Sequence, residues 1–256
     1  MKTILITGNK GLIGNSLVYR LKNNNSVIGY DYNDRFNDIH LEIDLIIHCA
    51  AKCVIRDVIK EPSLMMDNVK ITFKVLEYAR QNNIPIIMLS SNRVTSENSN
   101  PYIAGKMFDE NLAKAYHDCY GVDYIMIRPE TIFGKNENNV RVIRNWIYKA
   151  INNYDIIVYG NKDKELSPLS VDTFCDVFMD YYNNFNTYKN TEYTITGNVR
   201  KVCDIIDDIK TVCKSNSNVI YLQPEKTQPQ RCIEENTLQN YQENFKSKIL
   251  ALYNNI

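Results

Sequence analysis

Three glycines at positions 8, 11 and 14 follow directly on a short apolar run, Ile4-Leu5-Ile6, and open a helical pattern of Leu12, Ile13, Leu17, Val18 and Leu21. A strand, a turn lacking Cβ atoms at three spaced places and a helix leave few options for the rest of the fold. Gly8 permits the tight turn, Gly11 lets backbone approach a ligand, and Gly14 lets helix pack close on strand. The N–H groups at the helix start, in Lys10-Gly11-Leu12-Ile13-Gly14, then face negative charge of the kind a pyrophosphate carries. A second strand, Ser26-Val27-Ile28-Gly29-Tyr30, ends in Asp31. An acid roughly 20 residues beyond such a turn is the expected partner of a ribose 2′-hydroxyl. The pattern predicts a dinucleotide site that prefers NAD to NADP. Asp31 would repel a 2′-phosphate, although Lys10 and Arg35 are near.

Strands predicted at 2–7, 26–31, 44–49, 84–89 and 122–128 alternate with helices at 12–23, 61–81, 103–119 and 138–152. Such alternation argues for an α/β fold, a doubly wound parallel sheet with helices on both faces. Strand 44–49 leads into Ala50-Ala51, and small residues at the carboxyl edge of a sheet leave room for a ligand. The stretch from Asp31 to Asp44 is short and polar. A crossover needs about ten residues or more, so the third βα unit is cut down to a loop or a vestigial strand at 39–43. Beyond Gly134 the order predicted is strand 155–160, a polar loop, helix 173–184, strand 192–196, helix 201–213, strand 218–222 and a terminal helix near 235–252. We expect a Rossmann-type domain over 1–134, with 161–196 returning to it, and a small mixed α/β substrate lobe from 135–160 and 197–256.

The 256 residues can bury a full core, and a formal charge of +0 gives no electrostatic case for nucleic acid or an anionic membrane as partner. No apolar stretch approaches membrane-spanning length, and Met1-Lys2 leads into a strand rather than a signal-peptide core. Seven scattered cysteines with no Cys-x-x-Cys pair read as reduced thiols, with neither disulfides nor a metal site. The expected location is cytoplasmic.

Strand 84–89 ends in Ser90-Ser91, and Tyr102 and Lys106 follow at i and i+4, on one face of a helix. Ser91 at the strand end points into the crevice where the dinucleotide lies. A lysine ammonium within about 4–6 Å of a tyrosine stabilises the phenolate, which makes Tyr102 a candidate acid/base for a sugar hydroxyl or carbonyl. Ser91 can hydrogen-bond the same oxygen.

With these residues in place the chain resembles an extended short-chain dehydrogenase/reductase of the NAD-dependent epimerase/dehydratase family, whose members act on nucleoside-diphosphate sugars. The resemblance runs through Thr7 to Gly14, His48-Cys49-Ala50-Ala51, Pro62 to Leu76-Glu77, Ser90-Ser91 with Tyr102-x-x-x-Lys106, Arg128 to Gly134, and Val171-Asp172. It implies Ser91, Tyr102 and Lys106 as the catalytic set. It implies cofactor contacts from Gly8, Lys10, Gly11, Leu12, Ile13, Gly14, Asp31, Tyr32, Cys49, Ala50, Ala51, Ser90, Tyr102, Lys106 and Pro129. Substrate contacts fall to Ser91, Asn92, Tyr102, Thr131, Lys164 and Arg231, with Lys226 a further candidate for the diphosphate. The departures also inform. Family dehydratases place Asp-Glu after the catalytic Ser/Thr, and Asn92-Arg93 stands there instead. Thr131 stands where many members have a substrate-touching Asn, and the usual Arg before Val171-Asp172 is absent.

The resemblance therefore implies an NAD-dependent nucleotide-sugar epimerase, working through a transient keto-sugar with Lys106 lowering the Tyr102 pKa. A one-way 4-keto-sugar reductase is the alternative within this chemistry, and a catalytically silent dinucleotide-binding regulator is the alternative outside it. His48 reads as a core histidine, His40 and His117 as surface positions, Cys53 as structural, and Trp146 and Tyr148 as packing residues. Apolar residues Met65, Phe73, Phe108 and Tyr116 lie off the core stripes of helices 61–81 and 103–119. In the resembled family these helices pair across a two-fold axis, which implies a homodimer.

Overall fold

The computed structural model describes residues 1–31, 41–96, 99–135, 137, 141–223 and 238–254, with backbone alone at 238–240. In chain order the strands are β1 (Thr3–Thr7), β2 (Ser26–Tyr30), β3 (Leu45–His48), β4 (Ile86–Leu89), β5 (Tyr124–Pro129), β6 (Thr131–Phe133), β7 (Ile156–Tyr159), β8 (Glu165–Leu166), β9 (Pro168–Ser170), β10 (Thr191–Thr196), β11 (Arg200–Lys201), β12 (Val219–Leu222) and β13 (Leu238–Asn240). The helices are α1 (Leu12–Leu21), α2 (Ile55–Lys60), α3 (Ser63–Asn82), α4 (Pro101–Tyr120), α5 (Val142–Ile151), α6 (Val171–Asn183), α7 (Phe185–Tyr188), α8 (Val202–Cys213) and α9 (Phe245–Tyr253). Among the described residues seven strands form one sheet in the order β13-β10-β5-β4-β3-β1-β2, and each pairing there is parallel. The doubly wound Rossmann-type sheet is thus as expected. Residues 41–44 hold neither strand nor helix, and β2 is the edge among the described residues; positions 32–40 of the third unit expected to be cut down lie outside them.

Strand periodicity sorts the core onto two faces. Ile4 and Ile6 pack with Leu17, Leu21, Phe174 and Phe178 of α1 and α6. Leu5, pointing the other way, packs with Ile46, Val75, Leu76 and Ala113 under α3 and α4. Residues such as Leu76 are fully buried, and truncation of a leucine of this kind to Ala typically costs about 2–5 kcal/mol. A separate core joins Ile143, Trp146 and Ile147 of α5 to Ile205 and Ile209 of α8 and Phe245 and Ile249 of α9. Trp146 packs there as expected, its Nε1 donating to Ile157 O at 3.3 Å, whereas Tyr148 is exposed and stands edge-on to Tyr154.

Several elements differ from expectation. The helix expected over 61–81 is preceded by a separate short helix, α2, ending just before Pro62. The terminal helix begins at Phe245, where the Asn244 side chain caps Ser247 N at 3.0 Å, not near 235. Ahead of it, β13 adds to the large sheet beside β10. Met65 and Tyr116, expected on an outer patch, are engaged within the chain. Met65 closes on Gly105, where an added Cβ would lie 2.6 Å from its Cγ, and Tyr116 Oη donates to Glu77 at 3.1 Å. His117, expected at the surface, is half-buried beside Asp123 and the Tyr124 ring. His40 lies outside the described residues.

Candidate active site

The glycine turn shows why its residues are glycines. Gly8 has φ +68°, and a Cβ there would stand 2.8 Å from Ala50 Cα. A Cβ on Gly14 would lie 2.2 Å from Gly8 O. Strand, turn and helix therefore close on one another only without side chains. Gly11 flanks the start of α1 and offers no side-chain cap, so the first-turn amides of the helix are presented to the crevice. This cradle fits a pyrophosphate.

A crevice of about 910 Å³ runs from that turn along the carboxyl ends of the sheet strands. Gly8, Lys10, Gly11, Leu12, Ile13, Gly14, Asp31, Cys49, Ala50, Ala51, Ser90, Ser91, Tyr102, Lys106, Pro129 and Thr131 all line it. Asn92 and Lys164 are not among its lining. Asn92 is buried at the start of a 3-10 turn, and Lys164 lies in the field of Arg93, its ammonium pushed below the usual range mainly by burial. Tyr32, Arg35, Lys226 and Arg231 lie outside the described residues.

Tyr102 and Lys106 reach the crevice because α4 starts early. Pro101 takes the first helical position and the Asn100 side chain accepts from Ile103 N at 3.0 Å, which places Tyr102 in the first turn and Lys106 one turn on. Tyr102 is 7 % exposed. Burial pushes its phenol above the usual tyrosine value, against the pull of Lys106, Arg141 and the Ser91 hydroxyl. Lys106 thus favours the phenolate as expected, but in the protein alone desolvation outweighs it. Lys106 Nζ donates to Leu89 O at 3.1 Å and lies 3.6 Å from Asp109 Oδ2. Ser91 Oγ accepts from Arg93 N at 3.2 Å, which fixes the strand end.

The floor is held from behind. His48 is buried, with Nδ1 2.7 Å from Thr7 Oγ1 and Nε2 3.1 Å from Thr72 Oγ1. Burial, aided by the Lys106 charge, pushes its imidazole down to about 3, so it is neutral, the core histidine expected. Asn68 on α3 grips the Lys52 backbone from both sides, at 2.6 and 3.0 Å, and so sets the loop after β3.

Several charged residues of the site escaped the sequence reading, among them two arginines and a glutamate. Arg93 and Arg141 line the crevice, and Arg141 Nη2 lies 2.7 Å from Cys53 Sγ. Glu137 lies 3.5 Å from Arg141 Nε, and burial pushes its carboxyl up to about 7. The i, i+4 spacing of Glu137 and Arg141 just ahead of α5 was a local signal for this pair; the approach of Cys53 was not readable.

Among the described residues, no group of three or more His, Cys, Asp or Glu is placed to hold a metal ion, and no helix is long and apolar enough to cross a membrane. A putative UDP-glucose 4-epimerase of Methanocaldococcus jannaschii is 24% identical over 86% of each chain. A UDP-N-acetylglucosamine 4-epimerase from Methanobrevibacter ruminantium, solved with UDP-N-acetylmuramic acid, superposes with TM-score 0.84 at 20% identity, over 99% of this chain and 98% of that one. A UDP-glucuronic acid 4-epimerase from Bacillus cereus, solved with UDP-glucuronic acid and NAD, superposes with TM-score 0.87 at 17% identity over 98% of each chain. Residues 4–196, from β1 through the end of β10, match the family described as the NAD dependent epimerase/dehydratase family, and the chain belongs to that family.

Proposed function

We propose that the protein is an NAD-dependent epimerase of nucleoside-diphosphate sugars. The observation that carries this reading is convergence: Ser91, Tyr102 and Lys106 meet in the same crevice whose far end is the uncapped glycine turn. The relatives, named as acting on UDP-sugars, support the substrate class. Gly8 to Gly14 would hold the pyrophosphate, Asp31 the adenosine ribose, and Lys106 the second ribose. Bound there, NAD would accept a hydride from the sugar carbon and give it back.

The chain's own residues handle the proton. Tyr102 takes it from the sugar hydroxyl as the carbon is oxidised and returns it as the keto-sugar is reduced on its other face. Ser91 hydrogen-bonds the same oxygen and orients it. Lys106 stabilises the phenolate by its charge. Burial keeps water from the exchange and strengthens these interactions. Arg93 and Arg141 supply positive charge for the diphosphate in the lining, a role expected of Lys164 and Arg231. No carboxylate follows Ser91: Asn92 is buried and Arg93 faces the crevice, which disfavours a dehydratase.

The test is incubation of purified protein with a panel of UDP-sugars and no added cofactor. Interconversion of 4-epimers is expected on NAD retained by the purified protein, since the hydride is returned to the sugar within each cycle. Reduction of a UDP-4-keto-sugar by added NADPH or NADH, with no interconversion of 4-epimers, would replace the epimerase with a one-way reductase.

A further inference from the structure

Lys106 is 4 % exposed, and an ammonium so placed is strongly destabilised unless it is paired. Its bond to Leu89 O satisfies one N–H but offsets no charge. The offset comes from Asp109, one turn along α4, whose Oδ2 lies 3.6 Å from Nζ. Asp109 is 2 % exposed, and neither of its oxygens accepts a hydrogen bond of ordinary geometry. The Thr72 hydroxyl lies alongside it, and beyond Thr72 come His48 and then Thr7, the residue before Gly8. A line of buried polar side chains therefore runs from the lysine to the cofactor turn.

The other titratable groups around the pair are already accounted for. Tyr102 and Glu110 face it from α4, His48 and Cys49 from the end of β3, Cys53 from the following loop, and Arg141 from behind Tyr102. Glu110 is held by Arg128 at two points, 2.9 and 2.6 Å. His48 is neutral, and burial keeps the Cys49 thiol protonated. Asp109 is the carboxyl left to balance Lys106: burial pushes it above the usual range, and the lysine charge 3.6 Å away, with the Thr72 hydroxyl, opposes that push and favours the carboxylate.

We propose that Asp109 is a positioning residue that holds Lys106 as an ammonium at the crevice floor and so sets the pH range in which Tyr102 exchanges its proton. Its effect on turnover rests on the epimerase reading; its effect on Lys106 does not. With the Asp109 charge removed, the lysine keeps its desolvation cost and loses the offset, so it releases its proton at lower pH. Tyr102 then lacks the cation that favours its phenolate, and activity fails earlier on the alkaline side.

The experiment is an NMR titration of the full-length protein carrying labelled lysine, with the Lys106 signal assigned by its loss in Lys106→Met. Asp109→Asn is expected to lower the Lys106 midpoint by about one pH unit or more, and Asp109→Glu to restore most of that shift. An unmoved midpoint overturns the proposal, whatever the protein turns over. As a second readout, the alkaline limb of kcat should move to lower pH in Asp109→Asn, with KM for the UDP-sugar changed by less than about twofold. An equal loss of kcat at every pH would make Asp109 a packing residue and overturn the proposal. A shifted midpoint in a protein that interconverts no UDP-sugar would leave the proposal for Lys106 standing and remove the epimerase reading instead. If Asp109→Asn does not fold, denaturation of Lys106→Met and of Lys106→Met/Asp109→Asn decides. The single change strands a buried carboxylate, so the double variant should be the more stable; a double variant no more stable than the single overturns the pairing.

Discussion

Lys10 Nζ lies 3.1 Å from Asp31 Oδ2, joining the cation of the glycine turn to the acid that ends β2. The lysine is largely exposed, so the pair adds little to stability, and its consequence is for recognition. Asp31 can accept from a ribose diol but repels a 2′-phosphate, and it engages the nearby cation. NADH is therefore expected to bind more tightly than NADPH. In Asp31→Ser the repulsion disappears and the Lys10 charge can meet a phosphate, so the preference should narrow by about tenfold or more, roughly 1.4 kcal/mol. Fluorescence titration with both nucleotides checks this; tighter NADPH binding by the unaltered protein would overturn the assignment of Asp31.

Tyr102→Phe removes one hydroxyl from a buried ring and leaves the glycine turn untouched. Dinucleotide binding should persist while turnover falls by about 10²–10⁴-fold, the usual contribution of a positioned proton-transfer group. A variant keeping more than about a tenth of the turnover would exclude Tyr102 as the acid/base.

What the sequence disclosed, and what it did not, divides by distance along the chain. The turn at Gly8, Gly11 and Gly14, Asp31 at a strand end and the i, i+4 pair Tyr102 and Lys106 are local patterns, and all line the crevice as read. Arg141 meets Cys53 across 88 positions, a contact made only when the fold brings the start of α5 to the loop after β3. Strand β13 was hidden for a related reason. Its three residues, Leu238-Gln239-Asn240, carry no apolar alternation, and they form a strand because the edge of β10 offers unpaired backbone groups. The pull of Lys106 on the Tyr102 phenol was legible in the i, i+4 spacing, whereas the opposing push of burial was not, because spacing reports nearness and not the depth at which both sit.

His48 predicts an acid sensitivity with a defined window. Its folded value is depressed from 6.5 to about 3, first by burial and then by the Lys106 charge. Between those values the unfolded chain binds a proton at this ring and the folded chain does not. Stability contributed by the neutral ring is thus present above 6.5, is lost as pH falls through the window, and levels off below about 3. Each pH unit of such a shift corresponds to about 1.4 kcal/mol. His48→Gln should be less stable near neutrality, having lost bonds to Thr7 and Thr72, yet it should lose less stability on going to about pH 5. Urea denaturation at both pH values tests this, and an unchanged difference between them would discard His48 as the source.

The α3–α4 face predicts the assembly. Phe73 and Phe108 are 50% and 48% exposed on these helices, and Met66 and Met107 are exposed beside them. Met65 and Tyr116 turned inward, so the patch is narrower than the sequence suggested, but two phenylalanines half in water remain. A two-fold dimer needs only one self-complementary surface, and pairing α3 and α4 with their copies would cover this one. Ser91, Tyr102 and Lys106 all come from one chain, so the catalytic groups would not be exchanged between partners. Sedimentation velocity at micromolar concentration should show a dimer, and Phe73→Glu with Phe108→Glu should yield a monomer, because a carboxylate buried without a partner is costly. A wild-type monomer under those conditions, or a dimer that withstands both substitutions, would place the interface elsewhere.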